Sequence, residues 1–150
     1  ILGEKRADDM HSSTLGQLAI AGFLADGAYQ GHIERARDFY RVRRDALLAG
    51  IDEHLSDLVT VTGREANGGH LWLTLELPLD ENELMTEAVH NGVTFVPGAA
   101  MLPEASHLTH MRLSYGFLGP EQLVEGTRRL GRAIRSLASR PRVSEAVPLA

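Results

Sequence analysis

Arg112 stands in the run His110–Gly116 (HMRLSYG), where Met111, Leu113 and Tyr115 alternate with His110, Arg112 and Ser114. Period two over this length predicts a half-buried strand with those two sets on opposite faces. An arginine in mid-strand, bracketed by core-type side chains, offers a planar guanidinium on rigid backbone. That geometry suits the bidentate capture of a carboxylate. It also suits an arginine on a solvated sheet face or in a structural ion pair, and the strand by itself leaves these readings open.

Other reactive patterns are scarce. The chain has 7 histidines and no cysteine, but no H-E-x-x-H, and His107 and His110 fall across a loop-to-strand junction rather than on one helix face. No metal site is expected. Absent cysteine also removes disulfides and thiol nucleophiles. There is no G-x-S-x-G elbow, P-loop or G-x-G-x-x-G, and Ser114 has no evident base partner. Of the 15 basic residues only Lys5 is a lysine, so a Schiff base has one candidate, near the start of the chain. Carboxylates sit at caps and on helix faces, and no catalytic residue emerges. A net charge of −5 disfavours a sequence-blind nucleic-acid binder. With no apolar run of the ~18–20 residues a bilayer needs and no signal-peptide pattern, no membrane contact is expected and the cytoplasm is the expected location. Ile1 in place of Met leaves a fragment, a processed product and a trimmed chain all open as expectations.

The elements that must position Arg112 follow from periodicity. Ser12, Ser13 and Thr14 precede an apolar helical pattern over Leu15–Leu24, and one of these hydroxyls, Ser13 or Thr14, is expected to cap it. Asp26-Gly27 stops that helix. A longer one runs from Ala28 to about Leu55, with Ile33, Ala36, Tyr40, Leu47, Ile51 and Leu55 along one stripe. Its arginines resemble a nucleic-acid patch only if the acids among them are ignored. Pairings such as Glu34–Arg37, Asp38–Arg41 and Arg41–Asp45 predict a solvated, salt-bridged face. At about 40 Å this helix exceeds the width of a small domain, so it is expected to reach toward another domain or subunit. Leu58–Thr62 and His70–Leu77 read as paired strands. Asp80 and Glu83 form a D-x-x-E box for a helix over Glu81–His90, stopped at Asn91-Gly92. Val93–Val96 is a third strand, the Arg112 strand a fourth, and Pro120 opens a last helix with Leu123, Val124, Thr127, Leu130, Ile134 and Leu137 inward. The expected fold is α+β, a small, mainly antiparallel sheet of about four strands with helices packed on it, preceded by a long interdomain-type helix.

Read in order, Ser12–Ala19 (SSTLGQLA), Gly27–Arg37 (GAYQGHIERAR), Tyr40–Leu47 (YRVRRDAL), Gly68–Leu73 (GGHLWL), Gly92–Gly98 (GVTFVPG), Met111–Tyr115 (MRLSY) and Glu125–Leu130 (EGTRRL) form one composite. It resembles the C-terminal region of fold-type-I, pyridoxal-phosphate-dependent aminotransferases. Within them it is most similar to the class I/II subgroup of 2-aminoadipate and kynurenine-type transaminases and the aminotransferase-like domains of GntR-type regulators. Each segment alone is weak; their order and spacing are specific, and together they cover about Leu15 to Leu137.

The resemblance implies roles. The arginine of the R-L-S strand binds the substrate α-carboxylate in that family, which puts Arg112 in that role. The hydroxyl-rich turn approaches the cofactor phosphate across a dimer interface, which places Ser12, Ser13 and Thr14 near a partner's site. Val96-Pro97-Gly98 lies by the substrate entrance, and the long helix links a large domain to a small one. Met101 stands where members usually carry an aromatic. The family's Schiff-base lysine motif, its pyridinium-pairing aspartate and its ring-stacking aromatic are not in this chain. The implied organisation is 1–14 as a segment lacking its upstream large domain, 15–57 as interdomain helices, 58–139 as the small domain and 140–150 as a tail. The implied activity is transfer of an amino group between an amino acid and a 2-oxo acid, by a homodimeric parent that binds pyridoxal 5'-phosphate. The isolated chain is expected to be inactive and to bind no cofactor. The alternatives are an effector-sensing domain of a GntR-type regulator, in which case the parent also binds nucleic acid, and a free-standing α+β interaction module.

Overall fold

A computed structural model describes residues 13–65 and 68–140. Two compact units divide between Phe39 and Tyr40. In the first, α1 (Thr14–Ala25) is capped by Ser13, whose Oγ accepts from the Gly16 N–H at 3.3 Å. It ends at Asp26, and Gly27 takes φ +70°, where a side chain would strain the backbone. None of the α1 residues is buried within this unit, although Leu15, Leu18, Ile20 and Leu24 lie along it. Phe23 meets the rings of Tyr29 and His32 edge-on. Helix α2 (Ala28–His54) carries the boundary between the units. On it the Glu34 carboxylate accepts from the Gln30 carboxamide, its i,i+4 neighbour, at 3.1 Å.

The second unit holds the sheet. Strands β1 (Val59–Thr62), β2 (His70–Leu75), β3 (Val96–Pro97) and β4 (Thr109–Ser114) stand in the order β1-β2-β4-β3, every pair antiparallel. Alternation sorts the faces as the sequence predicts. Val59, Leu71, Leu73, Leu75, Met111 and Leu113 are buried on one side. They form one core with Leu47, Ile51 and Leu55 of α2, Leu84 and Ala88 of α3 (Glu81–His90), and Leu123, Leu130 and Ile134 of α4 (Pro120–Ala138). Each such leucine, fully buried, contributes roughly 1.5–3 kcal/mol, and this shared apolar face is what joins sheet to helices.

Two expectations change. The third strand shortens from Val93–Val96 to Val96–Pro97, because Phe95 turns into the core and Pro97 has no N–H to extend the ladder before the 3-10 turn Gly98–Ala100. Of the D-x-x-E box only the Asp80 half forms: its Oδ1 accepts from the Asn82 and Glu83 N–H groups, while Glu83 points to solvent. Gly92 stops α3 at φ +72°. At the head of α4, Pro120 takes the first turn and the Gln122 carboxamide accepts from the Gly119 N–H at 3.0 Å.

Candidate functional site

The outer face of the sheet is where polar groups gather. In register across three strands lie Trp72, Arg112 and Val96, with Thr74 opposite His110 and His70 opposite Ser114. Strand β4 is interior, bonded to β2 on one edge and β3 on the other, so the Arg112 backbone is held from both sides. Beyond the short β3 its free edge is completed by Glu81, whose Oε1 accepts from the His110 N–H at 3.2 Å and whose Oε2 accepts from the Ala99 N–H at 3.0 Å. One carboxylate at the start of α3 thus ties the 3-10 turn to the strand that bears Arg112.

His110 braces the same face. Its ring stacks on Trp72, centroids 5.5 Å apart and 26° between planes. Its Nδ1 lies 3.1 Å from Thr74 Oγ1 and its Nε2 2.9 Å from Ser106 Oγ. With both nitrogens engaged, the imidazole is a strut rather than a base open to a substrate. At the other end of β4, Tyr115 is fully buried, bonds through its hydroxyl to the Gly68 carbonyl, and meets Tyr40 edge-on. Burial raises the Tyr115 pKa above its ordinary value, which keeps that hydroxyl a neutral donor.

Arg112 itself is the anomaly. Among the described residues its Nε is buried with no hydrogen-bond partner, and no ion pair holds the guanidinium. Buried donors of this kind are rare, because leaving one unsatisfied costs about 1–3 kcal/mol. The side chain lies in the wall of a cavity of about 320 Å³ with Thr94, Phe95, Val96, Ser114, Phe117 and Leu118. A half-buried guanidinium with no ion-pair partner, its Nε buried, can bind a carboxylate at this small apolar cavity and satisfy Nε at the same time. Two larger clefts, of about 580 and 800 Å³, suit an anion poorly. The first is walled by Asp80, Glu81 and Glu104, and the second by Asp80, Glu83 and Glu87, with its Arg140 already paired to Glu87.

The other sequence candidates are placed differently. Ser12 lies outside the described residues. Ser13 and Thr14 are exposed at the start of α1 in the first unit, the Ser13 hydroxyl engaged as the cap. The described residues contain no lysine, so by themselves they do not fit pyridoxal phosphate, which needs an amine for its Schiff base. No three His, Cys, Asp or Glu side chains among them converge as metal ligands, and none of their helices is long and apolar enough to cross a membrane. Sequence reasoning missed Glu81 and Phe117. The acid looked like one more charge in a first helical turn. The Phe117-Leu118 pair, an apolar step between Gly116 and Gly119, was the only signal for the second.

No family model matches the chain. It is 33% identical over 133 residues to a 2-aminoadipate transaminase of Thermus thermophilus, a match that covers 89% of this chain and 33% of that protein. It is 34% identical over 123 residues to an HTH-type transcriptional regulator of Bacillus subtilis, covering 82% of this chain and 26% of the regulator. The crystal structure of an alpha-aminoadipate aminotransferase from Thermus thermophilus, complexed with N-(5'-phosphopyridoxyl)-L-leucine, superposes with a TM-score of 0.78 at 32% identity, over 91% of this chain and 34% of that one. The chain therefore spans about a third of the length of the relatives it matches. By sequence this chain is a homologue of the pyridoxal-phosphate-dependent aminotransferases of fold type I and of GntR-type regulators, and by fold it matches the aminotransferase C-terminal domain.

Proposed function

We propose that the whole protein is a pyridoxal-phosphate-dependent aminotransferase, moving an amino group between an amino acid and a 2-oxo acid, and that Arg112 in this piece holds the substrate carboxylate. The observation that carries the reading is the buried Arg112 Nε without a partner, set in the wall of a cavity that would accept a carboxylate. A charge-assisted, two-point contact contributes about 1.5–3 kcal/mol in a site closed to water. The braces around it (Glu81 at the edge, the Trp72–His110 stack beside it) support a rigid clamp, since a guanidinium already in place loses little freedom on binding.

The remaining parts of the site belong to polypeptide outside this chain. We place there the Schiff-base lysine and the large domain, with residues 15–57 linking it to a small domain at 58–139. In that reading Ser12, Ser13 and Thr14 lie near the cofactor phosphate of a dimer partner. Arg112→Ala in the full-length parent tests the clamp. A KM raised at least tenfold for every amino donor is expected, and an unchanged KM and kcat would remove it.

The similarity to HTH-type regulators favours a second reading, in which the same cavity senses an amino-acid effector. The sequence upstream decides between them. A DNA-binding helix-turn-helix and linker mark the regulator; a large domain with a lysine placed for the cofactor marks the enzyme.

A further inference from the structure

His110 is fastened from more sides than a strand residue needs. Its backbone N–H is taken by Glu81, its Nδ1 lies 3.1 Å from Thr74 Oγ1, its Nε2 lies 2.9 Å from Ser106 Oγ, and its ring stacks on Trp72. A further contact is steric. A Cβ added at Gly98 would stand 3.1 Å from the His110 carbonyl oxygen and closer still to the His110 Cβ. Glycine there lets the 3-10 turn rest directly on this residue.

Gly98 and Ser106 stand near the two ends of one segment. Between them the Met101 and Leu102 N–H groups bond back to the Gly98 carbonyl, and residues 103–108 are exposed. Through Leu102, Glu104 and His107 the segment walls the cleft of about 580 Å³, so it spans open space rather than packed core. It is a strap, pressed on His110 at its start and pinned to the same side chain near its end. Thr109 follows, buried and bonded both ways to Leu79, which fixes where β4 begins.

The pin reaches Arg112. Trp72 is the direct cross-strand partner of Arg112, and it stacks on the His110 ring two residues along the same face. Directly opposed residues have Cβ atoms about 5 Å apart, so the setting of the indole decides the room left to the guanidinium. Ser106 sets the His110 ring at Nε2, and the Leu108 N–H in turn donates to Ser106 Oγ at 3.1 Å. That oxygen is held between strap backbone and imidazole, with its own proton free to be donated to Nε2.

We propose that residues 98–108 are a strap latched to the sheet by the Ser106–His110 bond, and that this latch couples the strap to the grip of Arg112 on a carboxylate. This rests on the reading of Arg112 as a carboxylate clamp. Ser106 is then a positioning residue, acting through His110 and Trp72 without touching the ligand. Such coupling is reciprocal: a carboxylate that steadies Arg112, Trp72 and His110 holds the latch closed by the same factor that the latch adds to binding.

The test is an NMR titration of the 150-residue chain with acetate, following the Arg112 Nε–H and the Trp72 indole N–H, together with hydrogen exchange of the Leu108 amide. Ser106→Ala should weaken acetate binding about fivefold, the share of one neutral hydrogen bond. Ser106→Thr, which keeps the hydroxyl, should bind to within about twofold of wild type. In the wild type, saturating acetate should slow exchange at Leu108 by about the same fivefold. Acetate affinity changed by less than about twofold in Ser106→Ala, an equal loss in Ser106→Thr, or Leu108 exchange indifferent to acetate overturns the latch and leaves the clamp standing. If acetate does not move the Arg112 signal, or if Arg112→Met still binds acetate at the Trp72 indole, the clamp fails and the latch proposal falls with it.

Discussion

Replacing Arg112 by methionine should make this chain more stable. The Arg112 Nε is buried without a partner, and an unsatisfied donor of that kind costs about 1–3 kcal/mol. The rest of the side chain is only partly buried, so its terminal nitrogens reach water and only Nε counts against the fold. Methionine keeps an unbranched stem of similar reach, fills the space between Trp72 and Val96, and needs no hydrogen bond. The lower end of the range applies, a gain of about 1 kcal/mol. That corresponds to a rise of roughly 4 °C in melting temperature, or a shift of about 0.5 M in the urea midpoint with the slope unchanged. The same variant should lose all carboxylate binding. Gain of stability with loss of function is the mark of a residue kept for its ligand. A loss of about 1 kcal/mol or more in Arg112→Met would refute this, because it would make the guanidinium a structural member of the sheet.

Three further outcomes are expected. At Gly50 an added Cβ would stand 2.5 Å from Thr127 Oγ1 and 3.1 Å from the Val124 Cα; Gly50→Ala should therefore push α2 off α4 and cost about 1–3 kcal/mol in urea unfolding. Glu81→Gln leaves one acceptor oxygen where Ala99 and His110 need two, so one of those amides should exchange hydrogen at least about tenfold faster, from a lost bond of about 1.5 kcal/mol. Hydrogen bonds from Arg128 and then Arg129 hold the Glu125 carboxyl at about 2 rather than its ordinary 4.5. A depressed pKa stabilises the fold above the unfolded value and ceases to as pH falls through the folded one. The gap in urea midpoint between wild type and Glu125→Gln should accordingly be constant above about pH 5 and close toward pH 2; a gap independent of pH would show that the pairs do not contribute.

Much of this molecule is local physics and was legible without coordinates. The two faces of β2 and β4 follow from alternation alone, because the pleat sends successive side chains to opposite sides. The stops at Gly27 and Gly92, the caps at Ser13 and Asp80 and the opening of α4 at Pro120 are chemistry within one turn of backbone. Even the singularity of Arg112 showed, since a cation in mid-strand contradicts its neighbours. What the tertiary structure alone decided is whether that cation has a partner. Pairing across strands set Trp72 and Val96 on either side of it and left its Nε without an acceptor among the described residues. Burial of Phe95 cut β3 to two residues, and Glu81, far off in sequence, completed the edge of β4. Spacing along a chain encodes which face a side chain takes; what it meets there depends on segments folded back from elsewhere.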